Sequence, residues 1–133
     1  MSIGNPQCAV EVTGGEPLEA LDLGELGPPI EANTELFPHR TNVSFWRRDD
    51  DSNLTARIFE RGVGETLSSG TGACGAAVAA VVRGAESPVT VRLDGGELEV
   101  EVGEHLSVRL TGWAIPVYRG TLSDELVAEL HAA

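Results

Sequence analysis

Thr71–Val82 reads TGACGAAVAAVV, and the fold turns on how that stretch is packed. It is small and apolar on every face, with no charge until Arg83. A helix built from it has no polar stripe to offer water, so it is buried on all sides. Strand-like sequence flanks it in both directions along the chain. The combination predicts an α+β fold, strand-dominated, in which an antiparallel sheet or barrel curls around one central buried helix.

Working outward, Gln7–Val12 alternates as a short strand and runs into the turn residues Thr13-Gly14-Gly15. A weak helical stretch over Pro17–Glu31 is interrupted by Gly24, Gly27 and Pro28-Pro29. Thr41–Arg48 (TNVSFWRR) and Leu54–Glu60 (LTARIFE) both alternate. The polar run Asp49-Asp50-Asp51-Ser52-Asn53 between them is a hairpin signature. Downstream, Val89–Leu93, Glu97–Val102, Leu106–Leu110 and Ile115–Arg119 alternate, with tight turns at Asp94-Gly95-Gly96 and Gly103-Glu104. Such regular short strands argue for an antiparallel barrel or sandwich rather than βαβ units. Ser123 is placed to cap a helix over Asp124–His131 with acids in its first turn. Its Leu126, Val127 and Leu130 then need a surface to pack against.

The 133 residues are enough for one domain with one core. Hydrophobic (41%) and charged (23%) fractions are ordinary for a globular protein, so neither disorder nor a second domain is expected. A net charge of −12 argues against nucleic acid, whose backbone is bound by clustered Lys and Arg. No apolar run approaches the roughly 20 residues that cross a bilayer. Met1-Ser2-Ile3-Gly4-Asn5 lacks the basic and apolar regions of a signal peptide. A cytoplasmic protein with no membrane contact is expected. Two cysteines, Cys8 and Cys74, make no disulfide framework, and His39, His105 and His131 show no metal spacing, so no metal is expected.

The segment from Glu60 to Cys74, ERGVGETLSSGTGAC, carries the chemistry. A strand delivers an adjacent acid and base, a glycine-rich loop turns, and a helix begins near Gly70. The first amides of that helix have no intrahelical partner and lie at the positive end of its dipole, a site suited to a carboxylate or phosphate. Gly70-Thr71-Gly72-Ala73-Cys74-Gly75 also fits the dinucleotide pattern G-x-G-x-x-G, with Asp94 downstream. That pattern needs a strand running directly into its first glycine, and Gly64–Ser69 does not read as one. Plainer readings stand beside these. Glu60-Arg61 could be a surface pair, and Asn5 and Asn42 turn residues. Cys74 reads as a small buried hydrophobe and Cys8 as core. Ser69 is an N-cap on either reading.

Gly4-Asn5-Pro6-Gln7-Cys8, Arg40-Thr41-Asn42-Val43, Glu60-Arg61-Gly62-Val63-Gly64-Glu65-Thr66 and Ser69-Gly70-Thr71-Gly72-Ala73-Cys74 resemble, in order and spacing, the C-terminal lobe of the diaminopimelate epimerase family. Asn42-Val43 and Glu60-Arg61-Gly62 favour this family over the related proline racemases and phenazine-pathway isomerases. The resemblance spans residues 2 to about 122, which implies a lobe over 1–122 and a tail over 123–133. It implies two similar lobes, each a sheet around a central helix, with the substrate in the cleft between them. The implied reaction inverts one α-carbon of diaminopimelate, from the LL to the meso form, in lysine and peptidoglycan precursor synthesis. It uses no pyridoxal phosphate or other cofactor. One cysteine per lobe faces the α-carbon; one thiolate removes the proton and the other thiol returns one to the opposite face.

Carried over position by position, the resemblance implies that Asn5, Asn42 and Arg61 hold the distal carboxylate and that Glu60 takes an ammonium group. The amides of Gly70 and Thr71 would receive the reacting carboxylate. The sequence departs from the family twice. Ser69 stands at the lobe's catalytic cysteine position, and Gln7 stands where histidine is usual. A serine hydroxyl is a far weaker acid than a thiol, whose reference pKa of about 8.5 falls further at a helix start. The implied partners are the amino-acid substrate and either the N-terminal lobe, with its own cysteine, or a second copy of this chain. The chain alone is therefore expected not to racemise anything. The alternative is a non-catalytic single-lobe homodimer or amino-acid-binding module.

Overall fold

In the computed structural model, residues 1–15 and 17–132 are described. The strands are β1 (Gln7–Glu11), β2 (Asn42–Arg48), β3 (Asn53–Glu60), β4 (Gly64–Thr66), β5 (Val89–Leu93), β6 (Gly96–Val102) and β7 (Val108–Thr111). The helices are α1 (Leu23–Glu31), α2 (Gly70–Val82) and α3 (Asp124–Ala132), with single turns of 3-10 helix at Leu18–Ala20 and Glu104–Leu106. The class is α+β, as the alternation and the apolar helix predict.

The sheet itself is mixed, which corrects the antiparallel expectation. Its seven strands run in the order β1-β2-β3-β5-β6-β7, with β4 paired to β3. β1 and β2 are parallel, and so are β3 and β5. Parallel neighbours need a long crossover, which regular strand spacing does not rule out. Here α1 lies in the first crossover, and β4 and α2 lie in the second. The remaining pairings are antiparallel.

Packing explains the other departures. α1 runs straight through Pro28 and Pro29. Asp22 caps it by accepting from the Glu25 amide at 3.1 Å, and its buried residues Leu23, Gly27 and Glu31 share one face. Gly27 is needed there, since a Cβ would lie 2.4 Å from the Phe59 ring. Leu106 belongs to a turn rather than to β7, because His105 and Leu106 take positive φ values of 56° and 59°. Ile115–Arg119 forms no strand and is exposed. Alternation marks two faces, but a strand also needs a neighbour for its backbone groups, and none is present among the described residues. α3 forms where expected, with Ser123 Oγ accepting from the Leu126 amide at 3.3 Å. Its Leu126, Val127 and Leu130 are all exposed.

In α2, Gly72 through Ala80 are buried without a break. The helix packs on β1, β2, β3, β5, β6 and β7. Its small residues set how near those strands come: a Cβ on Gly72 would meet Ile58 Cδ1 at 3.0 Å, and one on Gly75 would meet Gln7 Cβ at 3.3 Å. The main core joins α2 to Trp46, Leu54, Ile58, Val89, Val91 and Val100. A second cluster of Leu18, Leu23, Val43 and Phe45 lies under α1.

Candidate functional site

One end of the sheet gathers the polar residues singled out in the sequence. Because β1 and β2 are parallel, their starts lie side by side, with Gln7 opposite Asn42. β3 runs the other way, so its end returns there: Val43 pairs with Phe59, the residue before Glu60. The loop Leu67–Ser69 then starts α2 at the same end, where Asn5 Nδ2 donates to Thr71 Oγ1 at 3.3 Å.

Two small networks result. In the first, Gln7 Nε2 donates to Asn5 Oδ1 at 2.8 Å and to Thr71 Oγ1 at 3.2 Å, tying strand to helix. Gln7 is 1% exposed, and its Oε1 has no partner among the described residues. In the second, Asn42, 6% exposed, accepts the Arg61 amide on Oδ1 at 2.8 Å. The Arg61 guanidinium donates from Nη1 to the His39 carbonyl. The Gln7–Asn42 register joins the two networks. Glu60 is half-buried, and its carboxylate makes no hydrogen bond or ion pair among the described residues.

Ser69 is buried in extended backbone at φ −149° and caps α2 by accepting from the Gly72 amide at 3.3 Å. Ser44 Oγ donates to the Gly72 carbonyl at 3.1 Å and fixes the same turn to β2. The cap leaves the amides of Gly70 and Thr71 without intrahelical acceptors, so an anion can be held there. Gly70 leaves little space, since a Cβ would meet Leu110 Cδ2 at 3.0 Å. Ser69→Ala should cost about 1 kcal/mol of stability through the lost cap, read as a lower urea midpoint at unchanged slope.

The thiols do not replace Ser69 chemically. Burial pushes the Cys74 thiol up from its ordinary value. Cys8 is raised by the same cause, with the N-terminal ammonium acting weakly against it. Both stay protonated at neutral pH, and a thiol rather than a thiolate is a poor base. Sequence reasoning noted Gln7 only as a departure and missed its place as the link between Asn5 and Thr71. The signal was a polar residue at the start of a strand facing an all-apolar helix.

The family profile described as diaminopimelate epimerase matches residues 1–114. The chain belongs to the diaminopimelate epimerase family. Relatives named diaminopimelate epimerase include one from Desulfitobacterium hafniense, 44% identical over 129 residues, covering 96% of this chain and 44% of the relative. One from Ralstonia nicotianae is 45% identical over 134 residues, covering 99% and 44%. One from a Synechococcus strain is 44% identical over 126 residues, covering 93% and 44%. The chain thus spans a little under half the length of the diaminopimelate epimerases it matches. No helix among the described residues is long and apolar enough to cross a membrane.

Proposed function

We propose that this chain is one lobe of a cytoplasmic diaminopimelate epimerase and supplies half of its substrate cleft. The lobe is residues 1–122, with α2 as its central helix, and residues 123–133 are a tail. The observation that carries the reading is the meeting of Asn5 and Thr71 with Asn42 and Arg61 at one end of the sheet, beside the free amides of α2. Asn5, Asn42 and Arg61 hold the distal carboxylate of diaminopimelate. Arg61 spends one donor on the His39 carbonyl and keeps others for a forked contact, which a lysine could not make. Glu60, without a partner among the described residues, takes an ammonium group.

The reacting carboxylate sits on the Gly70 and Thr71 amides, whose dipoles stabilise charge that develops as the α-proton leaves. With no cofactor to absorb that charge, the amides carry much of the stabilisation. In a cleft with a cysteine in each lobe, a thiolate on one face takes the α-proton, and a thiol on the other face gives a proton to the carbanion. The configuration inverts, and thiol and thiolate exchange roles. Ser69 holds this lobe's base position with a hydroxyl that stays protonated, so this chain alone does not turn over substrate.

The partner is the complementary N-terminal lobe. A second reading, a non-catalytic pair of identical chains, is favoured by the exposed run Trp113, Ile115, Val117 and Tyr118, since an apolar patch of this kind marks an interaction surface. The test is a titration with diaminopimelate of the isotope-labelled chain mixed with the N-terminal lobe of a relative, followed by amide NMR shifts. Shifts centred on Asn5, Asn42, Arg61, Gly70 and Thr71 are expected. No shifts at saturating ligand, or shifts centred on α3, would overturn the reading. A dimeric mass for the chain alone would move the balance to the paired chains.

A further inference from the structure

An ion pair joins the buried Glu31 carboxylate to the half-exposed Arg40 side chain, one residue after His39. Glu31, the last residue of α1, is 3% exposed. Its Oε2 accepts from Arg40 Nη2, while its Oε1 has no partner among the described residues. Arg40 adopts φ 60°, the left-handed region that disfavours every side chain except the short polar ones. Two backbone hydrogen bonds hold that turn together with the ion pair. The Arg40 amide donates to the Phe37 carbonyl at 2.7 Å, and the Thr41 amide donates to the Glu31 carbonyl at 3.2 Å.

Arg61 is held by the two residues that bracket this turn. On one side, His39 offers its carbonyl to the Arg61 guanidinium. On the other, Asn42 accepts the Arg61 amide at 2.8 Å. The ion pair thus tethers the residue that follows the His39 carbonyl. An exposed arginine without such an anchor loses rotamer freedom only on meeting its ligand, which weakens binding.

We propose that Glu31 and Arg40 are positioning residues: their ion pair locks the left-handed turn that aims the His39 carbonyl at Arg61 and so pre-sets the guanidinium for a carboxylate. Arg40 touches no ligand in this arrangement. The consequence for binding rests on the reading of Arg61 given above, but the restraint on its guanidinium does not.

The restraint can be read without ligand, from the Nε and Nη proton signals of Arg61 in the labelled full chain, assigned by their loss in Arg61→Lys. In Glu31→Gln the pair is broken with shape kept, and rotation of the Arg61 guanidinium is expected to quicken about tenfold, as for loss of one charge-assisted hydrogen bond. Unchanged Arg61 rotation in Glu31→Gln overturns the proposal. Should Glu31→Gln fail to fold, the double variant Glu31→Gln with Arg40→Gly removes both charges and relieves the positive φ. Faster Arg61 rotation in that variant supports the pair's role, and wild-type rotation overturns it. Diaminopimelate binding tests the reading of the site separately, because these signals are recorded in its absence.

Discussion

With the complementary lobe supplied, Ser69→Cys should raise the rate of α-proton loss from LL-diaminopimelate by about 10²–10⁴-fold, the range contributed by a well-placed acid–base group. The gain is expected because, on the proposed reading, this lobe lacks only its thiol. The residue before α2 is buried and capped, and the Gly70 and Thr71 amides are free to take the reacting carboxylate. A thiol placed there sits at the positive end of α2, which lowers its pKa and favours the thiolate. The activity of Ser69→Cys should therefore rise with pH as the thiolate forms, while the unaltered chain shows no such rise. The measurement is loss of the α-proton NMR signal in deuterated buffer, with Ser69→Ala alongside. Ser69→Ala should match the unaltered chain, since the hydroxyl does no proton transfer. Rapid exchange by the unaltered chain, or no gain from the cysteine, would sink the two-thiol account.

Trp46→Ala should cost about 3–5 kcal/mol of stability, read as a lower urea midpoint. Trp46 is fully buried in β2, opposite Ala56, and belongs to the core that includes α2. Removing the indole leaves a cavity that a helix of glycine and alanine has no long side chains to fill. The loss also takes away the surface under Arg83, whose guanidinium carbon lies 5.9 Å from the ring centroid and whose Nε pairs with Glu11 at 3.0 Å. Trp113 provides the control. It is 67% exposed, so Trp113→Ala should change stability by no more than about 0.5 kcal/mol. Equal effects at the two tryptophans would mean that the core is drawn wrongly.

Some locally settled features were legible in the sequence, though not the turn at His105–Leu106 or strand β4 within Gly64–Ser69. The β2–β3 hairpin closes on Asp50, whose Oδ1 accepts the Ser52 and Asn53 amides at 2.9 Å, and such turn chemistry is written in neighbouring residues. The bounds of β5 and the start of α2 follow for the same reason. The parallel pairings were not legible, because the partner of β1 is chosen by the crossover through α1, some thirty residues on. Ile115–Arg119 misled in the opposite sense: its period is correct for a strand, but no neighbour is in place. At the candidate site, Asn5, Asn42, Arg61 and Thr71, singled out through motif order, lie at one end of the sheet. Gln7 and the Glu31–Arg40 pair were not found that way, since each acts through contacts that exist only once distant elements are packed.

α2 has a dual position that shapes how this protein would respond to change. Its middle packs against the strands through small residues, and its first turn is the one proposed to hold the reacting carboxylate. An added methyl at Gly72 would press on Ile58 Cδ1 at 3.0 Å and one at Gly75 on Gln7 Cβ at 3.3 Å, and where those side chains do not give way the helix itself must shift. That movement would carry the Gly70 and Thr71 amides with it. Substitutions deep in the core of this lobe would then register first as weakened ligand capture, while the chain still melts as a folded protein.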